Sequence, residues 1–338
     1  MTVGVVGLGY WGPNLARNFA ALEDCELRWC CDASEEARAR WEGAFPSARF
    51  TGDLGELLSD PELDAVVVAT EVPSHARLAS EVLRAGKDCF VEKPLAQSAA
   101  EAAAVAEAAA ASGRVLMVGH LLEYHPGVGK LKEIVDSGEL GEVYYVYSNR
   151  LNHGQLRRDE NALWSLGAHD VSVLLHLFDG EEPIEAQAHG ESFVRDGVED
   201  VVFCFLRFPS GRVAHMHLSW LDPHKERRFT VVGQRRMATF DDMALERKVT
   251  IYDKGFDPDY RNYGEYITRS GDVTSPQISN EEPLRIECRH FVDCVRSGTP
   301  PRSGAESGLR AVRVLEALQR SLEGGGAPQR LEPAGRVA

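Results

Sequence analysis

Positive charge is scarce in this chain. Its 338 residues include 37 Lys and Arg against 52 Asp and Glu, a formal net charge of −15. A surface of that sign argues against a nucleic-acid backbone or an anionic membrane as partner. No apolar run reaches membrane length, and no signal peptide is seen. Met1 leads directly into an apolar strand, so a cytoplasmic setting is expected. The seven cysteines are odd in number and lack paired spacing. Cys30 and Cys31 are adjacent in a strand and point to opposite faces, so reduced, mostly buried thiols are expected rather than a disulfide framework. There is no P-loop, no serine nucleophile elbow and no internal repeat.

What is present begins at Val3. Val3-Gly4-Val5-Val6 is a short apolar run suited to a buried strand, and Gly7-Leu8-Gly9-Tyr10-Trp11-Gly12 follows with G-x-G-x-x-G spacing. Gly7 permits a tight turn, Gly9 lets backbone approach a pyrophosphate, and Gly12 lets helix and strand pack closely. Pro13 suits the first turn of a helix, whose free amides attract phosphates. Glu26 to Cys31 reads as a second strand, and Asp32 lies 20 residues after Gly12. An acid there accepts hydrogen bonds from ribose hydroxyls and repels a 2′-phosphate, so NAD is favoured over NADP.

Strands and helices then alternate. Asp64–Thr70, Asp88–Glu92 and Arg114–Gly119 read as buried strands, with helices from Ser34, Asp53, the Val72 region and Ser98 between them. This pattern predicts a parallel Rossmann sheet covered on both faces, in an NAD-binding domain over residues 1–120. Ligands bind such sheets at the carboxyl ends of the strands. Those ends carry the glycine turn with Tyr10 and Trp11, then Asp32, Thr70 to His75 with Pro73, Glu92-Lys93-Pro94, and Gly119-His120. From 121 to 338 a second α/β domain is expected, with a mostly antiparallel sheet. A strand is read at Glu142–Asn149, a polar loop from Arg150 to Asn161, and a helix over Leu163–Phe178. Shorter strands follow to Tyr252, and Lys254–Asn280 reads as irregular. The helices near 282–296 and 305–322 are amphipathic and can return to the first domain; the tail from Gly324 reads as frayed.

Several side chains can do chemistry. Lys93 ends a parallel strand on the ligand side, with its backbone held extended by Pro94. A partly desolvated lysine there can pass a proton to or from a hydroxyl as a hydride moves. His169 opens a helix in the second domain and shares an i, i+4 face with Ser165; it can serve as a base or as a packed core histidine. Arg150 to Arg158, with Asn152 and Arg157, suits a phosphate or sugar ligand, or is a solvated loop. His215 and His217 share one strand face, but no third ligand stands at metal spacing, and no metal is expected.

Taken together these residues resemble the Gfo/Idh/MocA oxidoreductase family, from Val3 to about Leu322. The marks are the Gly7/Gly9/Gly12 turn, the Thr70-to-His75 loop, Glu92-Lys93-Pro94 and Gly167 to Asp170. The resemblance implies a Rossmann domain, a C-terminal α/β domain for substrate binding and oligomerisation whose large, mostly antiparallel open sheet makes homodimer or homotetramer contacts, and a lysine (Lys93) and histidine (His169) flanking substrate and nicotinamide. Many members carry an aspartate four residues before that histidine; here it is Ser165, so Lys93 and His169 would share the acid–base role. Asn161 to Trp164 and Ser219 to Lys225 look similar to dehydrogenases that oxidise the C3 hydroxyl of UDP-N-acetylglucosamine or its uronic acid to a 3-keto sugar. On that likeness Tyr124, Asn152, Arg157, Trp164, Ser165 and His169 are expected at the substrate. The rival readings are a keto-sugar reductase of a deoxysugar pathway, an NAD-dependent glycoside hydrolase and a non-catalytic NAD sensor.

Overall fold

The structure, a computed structural model, describes residues 1–154, 156, 160–257 and 267–332. The chain divides into two compact units, Met1–Tyr124 with Glu281–Arg313, and His125–Asn280 with the residues from Val314 onward.

The first unit opens with β1 (Thr2–Val6), α1 (Gly12–Ala20), β2 (Glu26–Cys31), α2 (Glu35–Glu42), β3 (Arg49–Thr51) and α3 (Leu54–Leu58). It continues with β4 (Ala65–Val68), α4 (Val72–Arg84), β5 (Asp88–Glu92), α5 (Ala99–Ser112) and β6 (Leu116–Gly119). The six strands pair in parallel in the order β3-β2-β1-β4-β5-β6. The order reverses between β1 and β4, which opens a crevice at their carboxyl ends. The strands are apolar on both faces because both are covered: Ala65, Val66, Val67 and Val68 are all 0% exposed. Ser34, Asp53 and Ser98 accept from Ala37, Gly55 and Glu101 amides at the starts of α2, α3 and α5. Caps of this kind are each worth about 1 kcal/mol.

The second unit contains α6 (Pro126–Asp136), β7 (Val143–His153), α7 (Ala168–Leu177), β8 (Glu185–Glu191), β9 (Val201–Arg207) and β10 (Val213–Ser219). Its sheet is completed by β11 (Leu221–Gly233), β12 (Met237–Asp241), β13 (Val249–Asp257) and β14 (Ile267–Thr274). After these come α8 (Pro283–Ser297), α9 (Ala305–Glu323) and β15 (Gln329–Arg330). Nine strands run in the order β14-β13-β12-β11-β7-β10-β9-β8-β15. Only β7 and β10 pair in parallel among these described neighbours. Helix α8 belongs to the first unit, where Phe291 stands edge-on to Phe19 and Phe90 at 6.1 and 5.7 Å.

Four expectations change. β7 runs past Asn149 to His153, because its ladders continue through Arg150 and Leu151. The Lys254–Asn280 stretch contributes the end of β13 and all of β14. β14 is an edge strand with both faces wet, so it carries no apolar alternation to read. Gln329 and Arg330 pair with β8 instead of fraying. The helix read over Leu163–Phe178 is a π-helical turn at Leu163–Gly167 followed by α7.

Candidate active site

The crevice begins at the glycine turn after β1. Gly7 has φ +96°, in the left-handed region that a side chain opposes, and a Cβ on Gly12 would lie 1.8 Å from the Gly7 carbonyl oxygen. Both glycines are therefore demanded by the backbone. Gly9 differs: a Cβ there meets nothing within 4 Å, so its missing side chain leaves open space above the turn. Helix α1 starts with no side-chain cap and no acidic residue in its first turn. Its amides and positive dipole end are left for an anion. Tyr10 is 86% exposed, and its ring lies stacked against half-buried Trp11 at 6.4 Å.

Asp32 follows β2. One carboxylate oxygen accepts from the Leu8 amide at 2.7 Å and the other from the Ser34 amide at 2.8 Å. The side chain thus braces the glycine turn and stays partly exposed, with lone pairs left for ribose hydroxyls. The open cradle at Gly9, the uncapped helix start and this braced acid fit a dinucleotide whose pyrophosphate lies over the turn.

The remaining strand ends give a mixed result. Thr70 bonds Ser74 through its hydroxyl at 2.6 Å, and exposed Pro73 sits in the first turn of α4. His75, expected to touch the cofactor, is 1% exposed. Its Nδ1 lies 2.8 Å from the Pro94 carbonyl and its Nε2 3.0 Å from the Thr70 carbonyl. The neutral ring has one N–H and donates it to one of these carbonyls, and both nitrogens are turned inward between the two loops. Burial disfavours its charged form and lowers its pKa. Glu92 also turns inward: it is 9% exposed, hydrogen-bonded by the Trp11 side chain and by the Lys93 amide at 3.2 Å. Lys93 remains at the end of β5, partly exposed.

Tyr124 corrects a substrate expectation. It is 2% exposed, and its hydroxyl bonds Ser303 at 2.8 Å inside the first unit. Arg157 lies outside the described residues. In the second unit, Asn152 sits near the end of β7, half-buried. Arg150, read as part of a ligand-gripping loop, is instead 6% exposed, and its Nε donates to Asp170 at 2.6 Å. Asn161 accepts from the Trp164 amide at 3.1 Å, and the Trp164 indole donates to Gln319 at 3.2 Å. Ser165 is buried within the π-helical turn, while His169 is partly exposed in the first turn of α7. A π turn bonds i to i+5, so the regular i, i+4 stripe expected from Ser165 to His169 is interrupted. His215 and His217 stack on Tyr147 and Phe203 at 5.3 and 4.5 Å. Among the described residues no group of three or more metal-ligating side chains is gathered.

Three buried groups in the first unit were not singled out as site residues: His120, Glu123 and Glu287, exposed by 1%, 2% and 0%. Burial pushes His120 down to about 3 and Glu123 up to about 8. Glu287 carried a legible signal. It falls within the apolar stripe of α8, beside Leu284, Cys288 and Phe291, where an acid is out of place.

A Rossmann sheet with this glycine turn and ribose-facing acid defines an NAD-binding oxidoreductase domain, and the comparisons agree. A family model described as "Oxidoreductase family, NAD-binding Rossmann fold" matches residues 1–120, and one for the Gfo/Idh/MocA C-terminal domain matches residues 128–239. The chain belongs to the Gfo/Idh/MocA oxidoreductase family and is an NAD-dependent enzyme of that family. It is 26% identical to myo-inositol 2-dehydrogenase of Thermotoga maritima over 334 residues, covering 96% of each chain. It is 29% identical to UDP-N-acetylglucosamine 3-dehydrogenase of Acidithiobacillus ferrooxidans over 262 residues, 75% of this chain and 78% of that one. The crystal structure of GenD2 from gentamicin A biosynthesis, in complex with NAD, aligns with TM-score 0.83 at 26% identity, covering 98% of this chain and 97% of that one. No described helix is long and apolar enough to cross a membrane.

Proposed function

We propose that this enzyme oxidises a secondary ring hydroxyl, and that its substrate is a UDP-N-acetylhexosamine oxidised at C3. The observation that carries the reaction class is Lys93 at the carboxyl end of β5, in the same unit as the dinucleotide cradle. The similarity to UDP-N-acetylglucosamine 3-dehydrogenase supports the substrate. The bound nicotinamide supplies the hydride acceptor. Lys93 takes the hydroxyl proton, a role worth about 10²–10⁴ in rate for a positioned base. His169 is the second acid–base group, and Asn152, Trp164 and Ser165 are the substrate contacts. Gly7, Gly9 and Gly12 admit the pyrophosphate, Asp32 holds the ribose, and Tyr10, Trp11, Thr70 and Pro73 line the cofactor.

A second reading is favoured by the match to myo-inositol 2-dehydrogenase along 96% of both chains. It keeps the chemistry and changes the ring to a free cyclitol.

The experiment offers UDP-N-acetylglucosamine and its uronic acid, each deuterated at C3, and myo-inositol deuterated at C2, with NAD and a trap for the ketone. Mass spectrometry then looks for deuterium on the reduced cofactor. Transfer from either UDP-sugar supports the first reading, and transfer from inositol alone replaces it with the second. In either case Lys93→Ala should lower kcat about 10²-fold or more with NAD affinity kept.

We also infer that the second unit's sheet pairs with another copy of the chain. Its outer face presents Tyr145 and Phe203, exposed by 38% and 53%, with Tyr147 and Phe205 on the same face, an apolar cluster that a monomer would leave in water. Phe203→Glu should shift the mass measured by light scattering towards the monomer.

A further inference from the structure

Arg38 stands one turn into α2, where its backbone amide donates to the Ser34 carbonyl at 3.2 Å. Side chains on a helix lean towards its N-terminus, and this one reaches back over the end of β2. There Nη1 donates to the Asp32 carbonyl at 2.5 Å and to the Ala33 carbonyl at 3.2 Å. The guanidinium lies over Gly52, the residue after β3, where a Cβ would stand 2.9 Å from Nη1 and 3.4 Å from Cζ. Gly52 has no positive φ, so its backbone would tolerate a side chain; the glycine leaves the space that Arg38 fills.

The cation is not spent on a carboxylate. Arg40 pairs with Glu36 at 3.0 Å and Arg28 with Asp60 at 2.8 Å, whereas Arg38 has no acid within ion-pair distance among the described residues. Its Nε and Nη2 make no hydrogen bond among them either, and the residue is partly exposed. Three acids share these strand ends, each engaged elsewhere. Asp32 accepts from the Leu8 and Ser34 amides, Asp53 from the Gly55 amide at 2.8 Å, and Glu56 from the Thr51 hydroxyl at 2.6 Å. Arg38 therefore keeps part of its donor fork, fixed by two carbonyls, beside the acid that faces the ribose.

An adenosine ribose held by Asp32 brings its 2′-oxygen to this strand end. A 2′-hydroxyl donates to a carboxylate, while a 2′-phosphate is repelled by it and is instead gripped by an arginine fork. Both kinds of group stand here side by side. We propose that Arg38 takes the 2′-phosphate of NADP, so that the enzyme accepts NADP as a second cofactor, with Asp32 keeping the preference for NAD. The proposal rests on the reading of Asp32 as the ribose acid given above and is independent of the ring that is oxidised. Arg38 sets cofactor choice and stays out of the hydride transfer.

The test titrates the full chain by calorimetry with AMP, adenosine 2′,5′-bisphosphate, NAD and NADP, with no substrate present. The unsubstituted chain should bind NADP, more weakly than NAD. Arg38→Gln should weaken the bisphosphate and NADP by about tenfold or more, the worth of a charge-assisted hydrogen bond, with AMP and NAD changing less than about threefold. Arg38→Lys keeps the charge without the fork and should fall between the two. Asp32→Ser should raise NADP affinity relative to NAD by about tenfold or more, and adding Arg38→Gln should erase that gain. Equal weakening of AMP and the bisphosphate in Arg38→Gln overturns the proposal, since the guanidinium would then serve the adenine or the fold. Absence of NADP binding to the unsubstituted chain overturns it, as does a gain in Asp32→Ser that survives Arg38→Gln. If Asp32→Ser leaves AMP and NAD affinity unchanged, the ribose reading of Asp32 fails while the Arg38→Gln comparison still stands, so the two failures are separable.

Discussion

Two buried acids, one in each unit, are held in opposite ways. In the second unit Asp170 is 0% exposed and fully engaged, accepting from Ser148 Oγ at 2.7 Å and from Arg150 Nε at 2.6 Å. In the first unit Glu287 is equally buried and neither oxygen is engaged. The first arrangement suits a charge kept for architecture, tying β7 to α7 just beside His169. The second suits a carboxyl kept as an acid, because an ionised group there would lack every compensation. The difference separates a structural ion pair from a carboxyl held neutral, although both are acids at zero exposure.

That comparison can be broken by substitution, and the largest effect belongs to the paired acid. Asp170→Ala leaves the Arg150 charge buried without its partner and should cost about 3–5 kcal/mol, read by urea unfolding. A loss below about 1 kcal/mol would mean that water reaches Arg150 and the contrast is false. His75→Ala removes the tie between the Thr70 and Pro94 carbonyls and leaves a cavity, and should cost about 2–3 kcal/mol. It should lower kcat more than NAD affinity, which titration calorimetry separates from turnover.

Next comes pH. Glu92 and Glu123 are raised from 4.5 to about 7 and about 8. The folded chain holds their protons while the unfolded chain releases them, so this contribution is full below 4.5 and is lost as pH rises through about 7 and 8. Its size is up to about 3 kcal/mol for Glu92. Asp242 in the second unit has the reverse dependence. The His125 hydrogen bond holds the Asp242 carboxyl well below its usual range, so that stability is present above 3.8 and is lost as pH falls further. Hydrogen exchange resolved by region should show the segments around Glu92 and Glu123 loosening on the alkaline side and those around His125 and Asp242 on the acid side. The smallest effect is Glu287→Gln, within about 1 kcal/mol at neutral pH, since a neutral isostere replaces a neutral acid. A cost like that of Asp170→Ala would show that Glu287 is ionised and paired.

Much of the first unit was legible from residues alone. Val3–Val6, Gly7 to Gly12, Asp32 and Glu92-Lys93-Pro94 announced a parallel sheet and its ligand side, because a parallel sheet writes its buried strands as apolar runs and its turns as glycines. The second unit was less legible where the sheet meets water. β14 and the outer part of β11 are polar on both faces, and Arg150 looked like loop chemistry because its partner, Asp170, lies 20 residues away. His75 and Tyr124 had the right types and places for ligand contacts; what they touch could not be read from their neighbours in sequence.

By itself the sequence determined the dinucleotide turn, the acid behind it, the alternation of strand and helix, and the lysine at a strand end. Each of these depends on contacts within a few residues or on a repeating period. Only the tertiary structure decided which polar side chains are spent on the protein itself. His75 is held between two carbonyls, Arg150 is neutralised by Asp170, and Glu287 is carried by α8 into the core of a sheet whose strands lie between Thr2 and Gly119. Whether a carboxyl is a solvated charge, a paired charge or a held proton is set by the dielectric and donors around it, and those are assembled only when distant segments pack.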